Sequence, residues 1–347
     1  MGDGAAAGAR GGAVGRRAAL GGASAVAAAA AAGPPRRASA QAGGFPTRNF
    51  RVVVPTGQGG GADRLARAFD DGWTKRLNGR AFEYEFYAGA AGQVGYELFA
   101  GRREPDAYNL LFGNMGPEMI MYALQRPRFR FPEDVAYFCR IDVDDSAIFV
   151  REDSPIRRVE DAVAEARRRP VNVAVSRIPH PASIGMLALG EAQGARFNLV
   201  PYGGGSPTMV AVMNGEAELG ALPVSGLTAQ AGRLRVLALF ARENIVARLT
   251  NDAPTVNAVF GTSIPDLYSS RSWAIHTRAI ERFPDRFRRL EEMAKEVFDD
   301  AAFREALERA GQPPETVRFG DRALCTEYAL GMIELAGRFR QQLSAQR

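Results

Sequence analysis

Residues 50–69 read FRVVVPTGQGGGADRLARAF, an order of residue types that spells strand, glycine loop, helix. Arg51 to Val54 is a β-branched run, and Pro55 ends it because proline cannot donate to a ladder. Thr56 to Gly61 holds four glycines in six residues, so the backbone can adopt φ > 0 and approach a ligand closely. Asp63 is expected to cap a helix. Leu65, Phe69, Trp73 and Leu77 then recur every fourth residue on its inner face. Such a loop aims free N–H groups at one spot, backed by the positive end of a helix dipole, and suits an anion.

The loop alone does not fix the ligand. Gly57, Gly59 and Ala62 match G-x-G-x-x-A, the dinucleotide fingerprint. Against that reading, Pro55 and Thr56 separate strand from first glycine, and the second strand ends Phe86-Tyr87-Ala88 without the acidic ribose partner. No Gly-Lys-Ser/Thr follows, which excludes a Walker loop. A purely structural turn is the other alternative.

The chain has 347 residues, enough for two lobes, and 46% apolar and 24% charged residues are ordinary for a soluble globular protein. The net charge of +5 sits at the start, where Arg10, Arg16, Arg17, Arg36 and Arg37 face Asp3 alone. Beyond residue 40 there are 39 basic and 38 acidic residues, so the basic balance gives no argument for nucleic acid. Cys139 and Cys325 are the two cysteines and His180 and His276 the two histidines. No H-E-x-x-H or C-x-x-C is present, and neither a metal site nor a cofactor is expected. The two cysteines are expected as buried free thiols, with a disulfide open in an oxidising compartment.

Residues 1–40 read as an export signal: Arg16-Arg17, an alanine-rich run from Ala18 to Ala32, then Ala38-Ser39-Ala40. The paired arginines favour the twin-arginine route, with Ala18 and Ala19 where a bulky residue is usual. Sec export or an uncleaved tail stays open, and the run is too short for a membrane span. The expected location is the periplasm.

Further along, strand and helix signals alternate. Phe82 to Tyr87 is a strand, followed by the loop Gly89 to Gly95 and a helix to about Gly101. Asn109 to Phe112 is a third strand, ending in Gly113-Asn114-Met115-Gly116, so three strands in a row end in glycine-bearing loops, where open α/β sheets bind ligands. Asn114 offers a donor and an acceptor there, or is a plain turn residue. Strands at 137–143 and 147–150 are broken by Asp144-Asp145, a candidate lobe crossing. Val171 to Ser176 is a strand, and Ser183 caps a helix ending near Gly194. Phe197 to Val200 leads to Pro201-Tyr202-Gly203-Gly204-Gly205, and Ser206-Pro207 starts a helix that Asn214-Gly215 stops. Two amphipathic helices, 284–310 and 321–342, close the chain, with Leu324, Tyr328, Met332 and Phe339 on one face. This alternation predicts a parallel-sheet α/β protein of two similar lobes, with the ligand between them and hinge closure around it.

Taken in order, VVVPTGQGGGADRLAR, GAAGQVGYELFA, EPDAYNLLFGNMGP, VPYGGGSPTMVAVMNGEAELG and AGRLRVLAL, with Trp273 after a serine-rich strand, resemble the extracytoplasmic solute receptors of tripartite tricarboxylate transporters, the Bug receptors. The resemblance covers roughly residues 50–310 and rests on the set agreeing. It implies a type II periplasmic-binding-protein fold, with lobe 1 at 45–144 and 246–347 and lobe 2 at 145–245. It also implies a monomeric receptor without catalysis, which binds a small di- or tricarboxylate or related organic acid and passes it to the permease subunits in the membrane. The ligand-binding residues implied are Thr56, Gln58, Gly59, Gly60 and Asp63 in the first loop, then Gly92 and Asn114. In the second lobe they are Ser176, Ser183, Tyr202 and Gly203. Tyr202 is alternatively a core residue.

This chain departs from the family at Arg177-Ile178-Pro179-His180-Pro181, where glycines and small hydroxyl residues are usual, and at Leu222-Pro223-Val224-Ser225, where an aspartate-bearing loop is usual. Arg177 and His180 could bring positive charge to the cleft, which suits a polycarboxylate, and Arg177 is otherwise a solvated loop charge. Two further functions compete. One is a ligand sensor without a permease. The other is an NAD-dependent α/β enzyme using the GQGGGA loop, against which stand the absent G-x-S-x-G elbow and the scarcity of histidine.

Overall fold

A computed structural model describes residues 44–346, and the export-signal reading of residues 1–40 lies outside them. The first half of the chain gives β1 (Phe50–Val54), α1 (Gly61–Arg76), β2 (Phe82–Phe86), α2 (Gln93–Arg102), β3 (Asn109–Asn114), α3 (Met115–Gln125) and β4 (Val135–Asp142). It continues with β5 (Asp144–Arg151), α4 (Val159–Arg168), β6 (Val171–Val175), α5 (Pro181–Gln193), β7 (Phe197–Pro201), α6 (Gly205–Met213), β8 (Leu219–Pro223) and β9 (Leu234–Leu239). Last come β10 (Tyr268–Ser269), β11 (Arg271–His276), the helices Pro284–Val297 and Ala301–Arg309, β12 (Val317–Gly320), and the helices Arg322–Arg338 and Arg340–Ala345.

The strands form two sheets, one for each of two α/β lobes. The first has the order β12-β4-β11-β3-β1-β2, and the second β10-β5-β8-β6-β7 with β9 on β5. In the first sheet β2, β1 and β3 run parallel, whereas β11 is antiparallel to β3 and β4. In the second, β6 is parallel to β7 and β8, and β5 is antiparallel to β8 and β9. The sheets are therefore mixed, not wholly parallel. The reason is the crossing chain, which enters each sheet from the opposite end to the βαβ units. Asp142-Val143-Asp144 carries it one way and Ser269-Ser270-Arg271 carries it back.

Residue type explains the local choices. β1 and β3 are apolar because helices cover both faces of a parallel pair. Leu65, Phe69, Trp73 and Leu77 are all buried on the inner face of α1. Trp73 stacks on Phe82 at 5.0 Å between ring centres and meets Trp273 edge-on at 4.8 Å. A second apolar layer runs through both lobes, joining Tyr96, Met115 and Tyr328 to Val173, Ile184 and Phe240. Cys139 and Cys325 are both free and buried.

Several boundaries differ from the sequence reading. α1 starts at Gly61 with Gly60 as its N-cap, so Asp63 is its third residue. β3 runs on through Asn114 and α3 starts at once, which leaves no glycine loop there. His180, not Ser183, caps α5. The break between β4 and β5 is Val143 alone. Asp300 caps a fresh helix inside the span 284–310, because its carboxylate takes the Ala302 N–H at 2.9 Å. Leu324 is exposed, and its neighbour Cys325 turns inward.

Candidate functional site

The seam between the lobes is built from strand ends and helix starts. In the loop after β1, Gly59 has φ +75° and donates its N–H to Asp63 Oδ2 at 2.8 Å. Asp63 Oδ1 accepts from Arg67 Nε at 2.7 Å. The buried carboxylate therefore closes the loop, and the Gly59 N–H is spent on it. Thr56 Oγ1 is buried with no partner, while Gln58 is exposed.

The loop after β2 lies directly against this one. Ala90, Ala91 and Gly92 take φ of 50°, 56° and 103° in succession, a left-handed run that alanine adopts only at a cost. A side chain at Gly92 would meet the Pro55 carbonyl oxygen at 3.2 Å, so glycine is what lets the two loops touch. Asn114 is committed to the crossing strand, where its Oδ1 accepts from the Ser270 N–H at 3.2 Å.

Glu118, in the first turn of α3, is the residue that sequence reasoning missed. It is fully buried. Its Oε2 accepts from the Tyr96 hydroxyl at 2.6 Å and from the Asn114 N–H at 2.7 Å, and its Oε1 has no partner. Burial pushes its carboxyl up to about 7, and the Arg177 guanidinium, Tyr96 and the Asn114 N–H pull the other way. The signal available was one acid in a long apolar run, LLFGNMGPEMIMYAL, following the Gly-Pro of a helix start.

From the second lobe, Arg177 reaches across. It is only partly exposed, and Nη1 donates to the Ala91 carbonyl at 3.1 Å. Arg177 is thus an arm between the lobes and not a solvated loop charge. Ser183 is buried, and its hydroxyl donates to the Arg177 carbonyl at 3.1 Å, which fixes the base of that arm.

His180 does not add positive charge. Its Nδ1 accepts the Ala182 N–H at 3.1 Å, so the ring proton lies on Nε2, 3.3 Å from Ser269 Oγ. Burial, with Arg177 and Arg271 near, pushes the imidazole down to about 3. Ser176 is partly exposed at the end of β6. The Tyr202 N–H donates to the Val175 carbonyl at 2.9 Å, and its ring packs at the edge of the second-lobe core. Gly203 is exposed with φ +77°. Among the described residues, no hydrogen bond joins Tyr202 or Gly203 to the first-lobe loops.

The hinge carries its own buried charges. Arg271 bonds Asp142 Oδ2 at 2.8 Å and also Asp144, and its N–H donates to Asp142 Oδ1 at 2.7 Å. Ser225 ties the short helix Val224–Thr228 to Asp144, with its N–H 2.9 Å from Oδ1. The Leu222 to Ser225 departure is therefore a strand end turning into a hinge-bound helix. Burial pushes Asp142 up to about 6 and Asp145 up to about 7.

Two surface depressions lie away from this seam. One of about 510 Å³ is lined by Arg151, Asp161 and Glu218, and one of about 750 Å³ by Leu98, Phe129 and His276. No group of three or more His, Cys, Asp or Glu among the described residues could hold a metal. No helix among them is long and apolar enough to cross a membrane.

Comparison with known proteins bears on this geometry. The family described as Tripartite tricarboxylate transporter family receptor matches residues 65–319. The UPF0065 protein in gbd 5'region of Cupriavidus necator is 26% identical over 283 residues, covering 80% of this chain and 83% of that protein. Protein BugT of Bordetella pertussis is 22% identical over 69% of this chain and 73% of its own length. Among solved structures, the periplasmic binding protein BugD superposes with a TM-score of 0.71 at 18% identity, covering 86% of this chain and 98% of that one. MatC from Rhodopseudomonas palustris, with bound malate, gives 0.68 at 20% identity, covering 86% and 100%. A second R. palustris protein, with adipate, gives 0.69 at 18%, covering 87% and 98%. The fold is that of the type II periplasmic binding proteins, two α/β lobes on a hinge.

Proposed function

The chain belongs to the tripartite tricarboxylate transporter receptor family, and from that premise we propose that it is a periplasmic receptor. It holds a small organic acid in the seam between its lobes and delivers it to a membrane permease without altering it chemically. The single observation that carries this reading is the Arg177 guanidinium. It is anchored by Ser183 in one lobe and reaches the Ala91 carbonyl of the other. A partly dry seam with a guanidinium and several backbone N–H donors is what a carboxylate needs. That similar proteins hold malate and adipate supports a dicarboxylate.

In this reading the first helix turn of α1, the loop residues Thr56, Gln58, Gly59 and Gly60, and Gly92 and Asn114 line the first-lobe side. Ser176, Tyr202 and Gly203 line the second, and Ser183, buried with its hydroxyl on the Arg177 carbonyl, holds the arm from beneath. Asp63 shapes the loop from beneath, since both its oxygens are already bonded. The lobes turn about Val143 and Ser270. We draw the return boundary at Ser270 and not near 246, because Thr255 bridges to Leu239 and Tyr268–Ser269 pairs with β5.

Thermal unfolding of the purified protein against mono-, di- and tricarboxylates, aromatic acids and NAD tests the reading. A ligand at a hundred times its Kd stabilises by about 2.7 kcal/mol, a shift of several degrees. The expected result is a rise confined to one class of carboxylate. A rise with NAD alone would replace the receptor by a nucleotide-binding protein.

A further inference from the structure

Glu118 and Arg177 approach the seam from opposite lobes. Glu118 sits where β3, α2 and the Gly89–Gly92 turn meet, and a side chain at Gly92 would lie 3.5 Å from its Cγ. The groups facing it are Tyr96 from α2, Tyr137 from β4 through its bond to Tyr96, the backbone of Asn114 from β3, and Arg177 from the loop after β6. Burial pushes both tyrosine hydroxyls well up, so they stay neutral. Arg177 is the charged group acting on Glu118. One oxygen of Glu118 is fully used and the other is buried and unpartnered, a condition that costs free energy while the group is ionised.

We propose that Glu118 couples ligand capture to proton uptake: an organic acid in the seam takes Arg177 as its counter-cation, and Glu118 then accepts one proton from solvent on Oε1. No other bond forms or breaks. The step follows from charge balance. In a dry place, Glu118 keeps its charge chiefly through the one neighbouring guanidinium, with the Tyr96 hydroxyl and the Asn114 N–H adding to it. A carboxylate that draws on the same guanidinium removes that offset and adds a like charge. Once protonated, Oε1 becomes a donor at the one Glu118 oxygen that lacks a partner, and its charge no longer opposes that of the ligand. Affinity for the acid then falls as pH rises above neutrality. This inference rests on the receptor reading above.

The test is calorimetric titration with malate, succinate and adipate at about pH 8, in two buffers of different ionisation enthalpy. The expected result is uptake of about one proton per acid bound, with affinity dropping about tenfold per pH unit on the alkaline side. Glu118→Gln is expected to bind with no uptake and a flat pH profile. A second arm needs no ligand. The infrared band of the protonated Glu118 carboxyl, assigned by its loss in Glu118→Gln, is titrated in the wild type and in Arg177→Gln. Its midpoint is expected to rise in Arg177→Gln. Heat of binding without proton uptake, or an unmoved infrared midpoint, overturns the coupling and leaves the receptor intact. No heat with any of these acids takes down the receptor reading and this inference together.

Discussion

Asp63 shows how the place of a carboxylate in the sequence can mislead as to its task. Its place after a glycine loop suggests a cap, but three successive glycines let α1 begin at Gly61, and the carboxylate turns back to hold the Gly59 N–H. Asp63→Ala removes that bond and leaves Arg67 without its partner. A loss of about 1–2 kcal/mol is expected, seen as a lower denaturant midpoint with unchanged slope, together with weaker ligand binding as the loop loses its shape. Glu118 makes a sharper prediction at the same scale. Its value in the fold, about 7, lies above its ordinary value of 4.5, so the folded state holds the proton more tightly than the unfolded one. Its contribution is complete below about 4.5 and is lost as pH rises through about 7. His180 acts in the opposite sense. Its value falls to about 3 from 6.5, so its contribution is complete above 6.5 and is lost as pH falls. The wild-type profile mixes the two, but the difference from Glu118→Gln isolates one. That difference is expected to move in favour of the variant by on the order of 3 kcal/mol between about pH 4 and about pH 8, measured by denaturant unfolding. A constant difference would mean that Glu118 is solvated.

Among the elements, the two crossing strands depend on Arg271 lying between Asp142 and Asp144. Taking away one partner of a buried ion pair leaves an uncompensated charge. Arg271→Met is therefore expected to cost about 3–5 kcal/mol, read as a fall in unfolding midpoint larger at pH 8 than at pH 5, because Asp142, at about 6, takes up a proton at the lower pH. The same elements show where sequence pattern stops short. Period-four apolar spacing gave the inner face of α1, and the β-branched runs at 52–54 and 171–175 gave their strands, because local periodicity and burial agree there. The start of α3 directly after β3 was hidden. Gly113, Asn114 and Gly116 carry turn propensity, and what overrides it is the antiparallel pairing of Arg271 with Asn114, a contact between residues distant in sequence. The cap of α5 is hidden for a similar reason. His180 accepts the Ala182 N–H only because burial keeps its imidazole neutral. The antiparallel direction of β5 and β11 is equally out of reach, since pairing direction is set by the crossings and not by composition.

For the molecule as a whole, the two-lobe plan is legible because each lobe repeats strand, loop and helix. The chemistry inside the seam is less so. Two charged groups there escape a reading by pattern: Glu118, an isolated acid in an apolar run, and Arg177, whose length lets it cross between lobes. An arginine in a loop is ordinarily solvated, and only the position of Ala91 on the opposite lobe makes this one an arm. Capture of an acid in the seam therefore turns on Arg177. The measurement that tests it most directly is the affinity of the wild type and of Arg177→Gln for the dicarboxylate that most raises the unfolding temperature. A hydrogen bond to a charged group contributes about 1.5–3 kcal/mol, so the variant is expected to bind about 10-fold to 100-fold more weakly. Equal affinity in the two proteins would contradict the account, and would place the acid on the backbone donors of the first lobe alone.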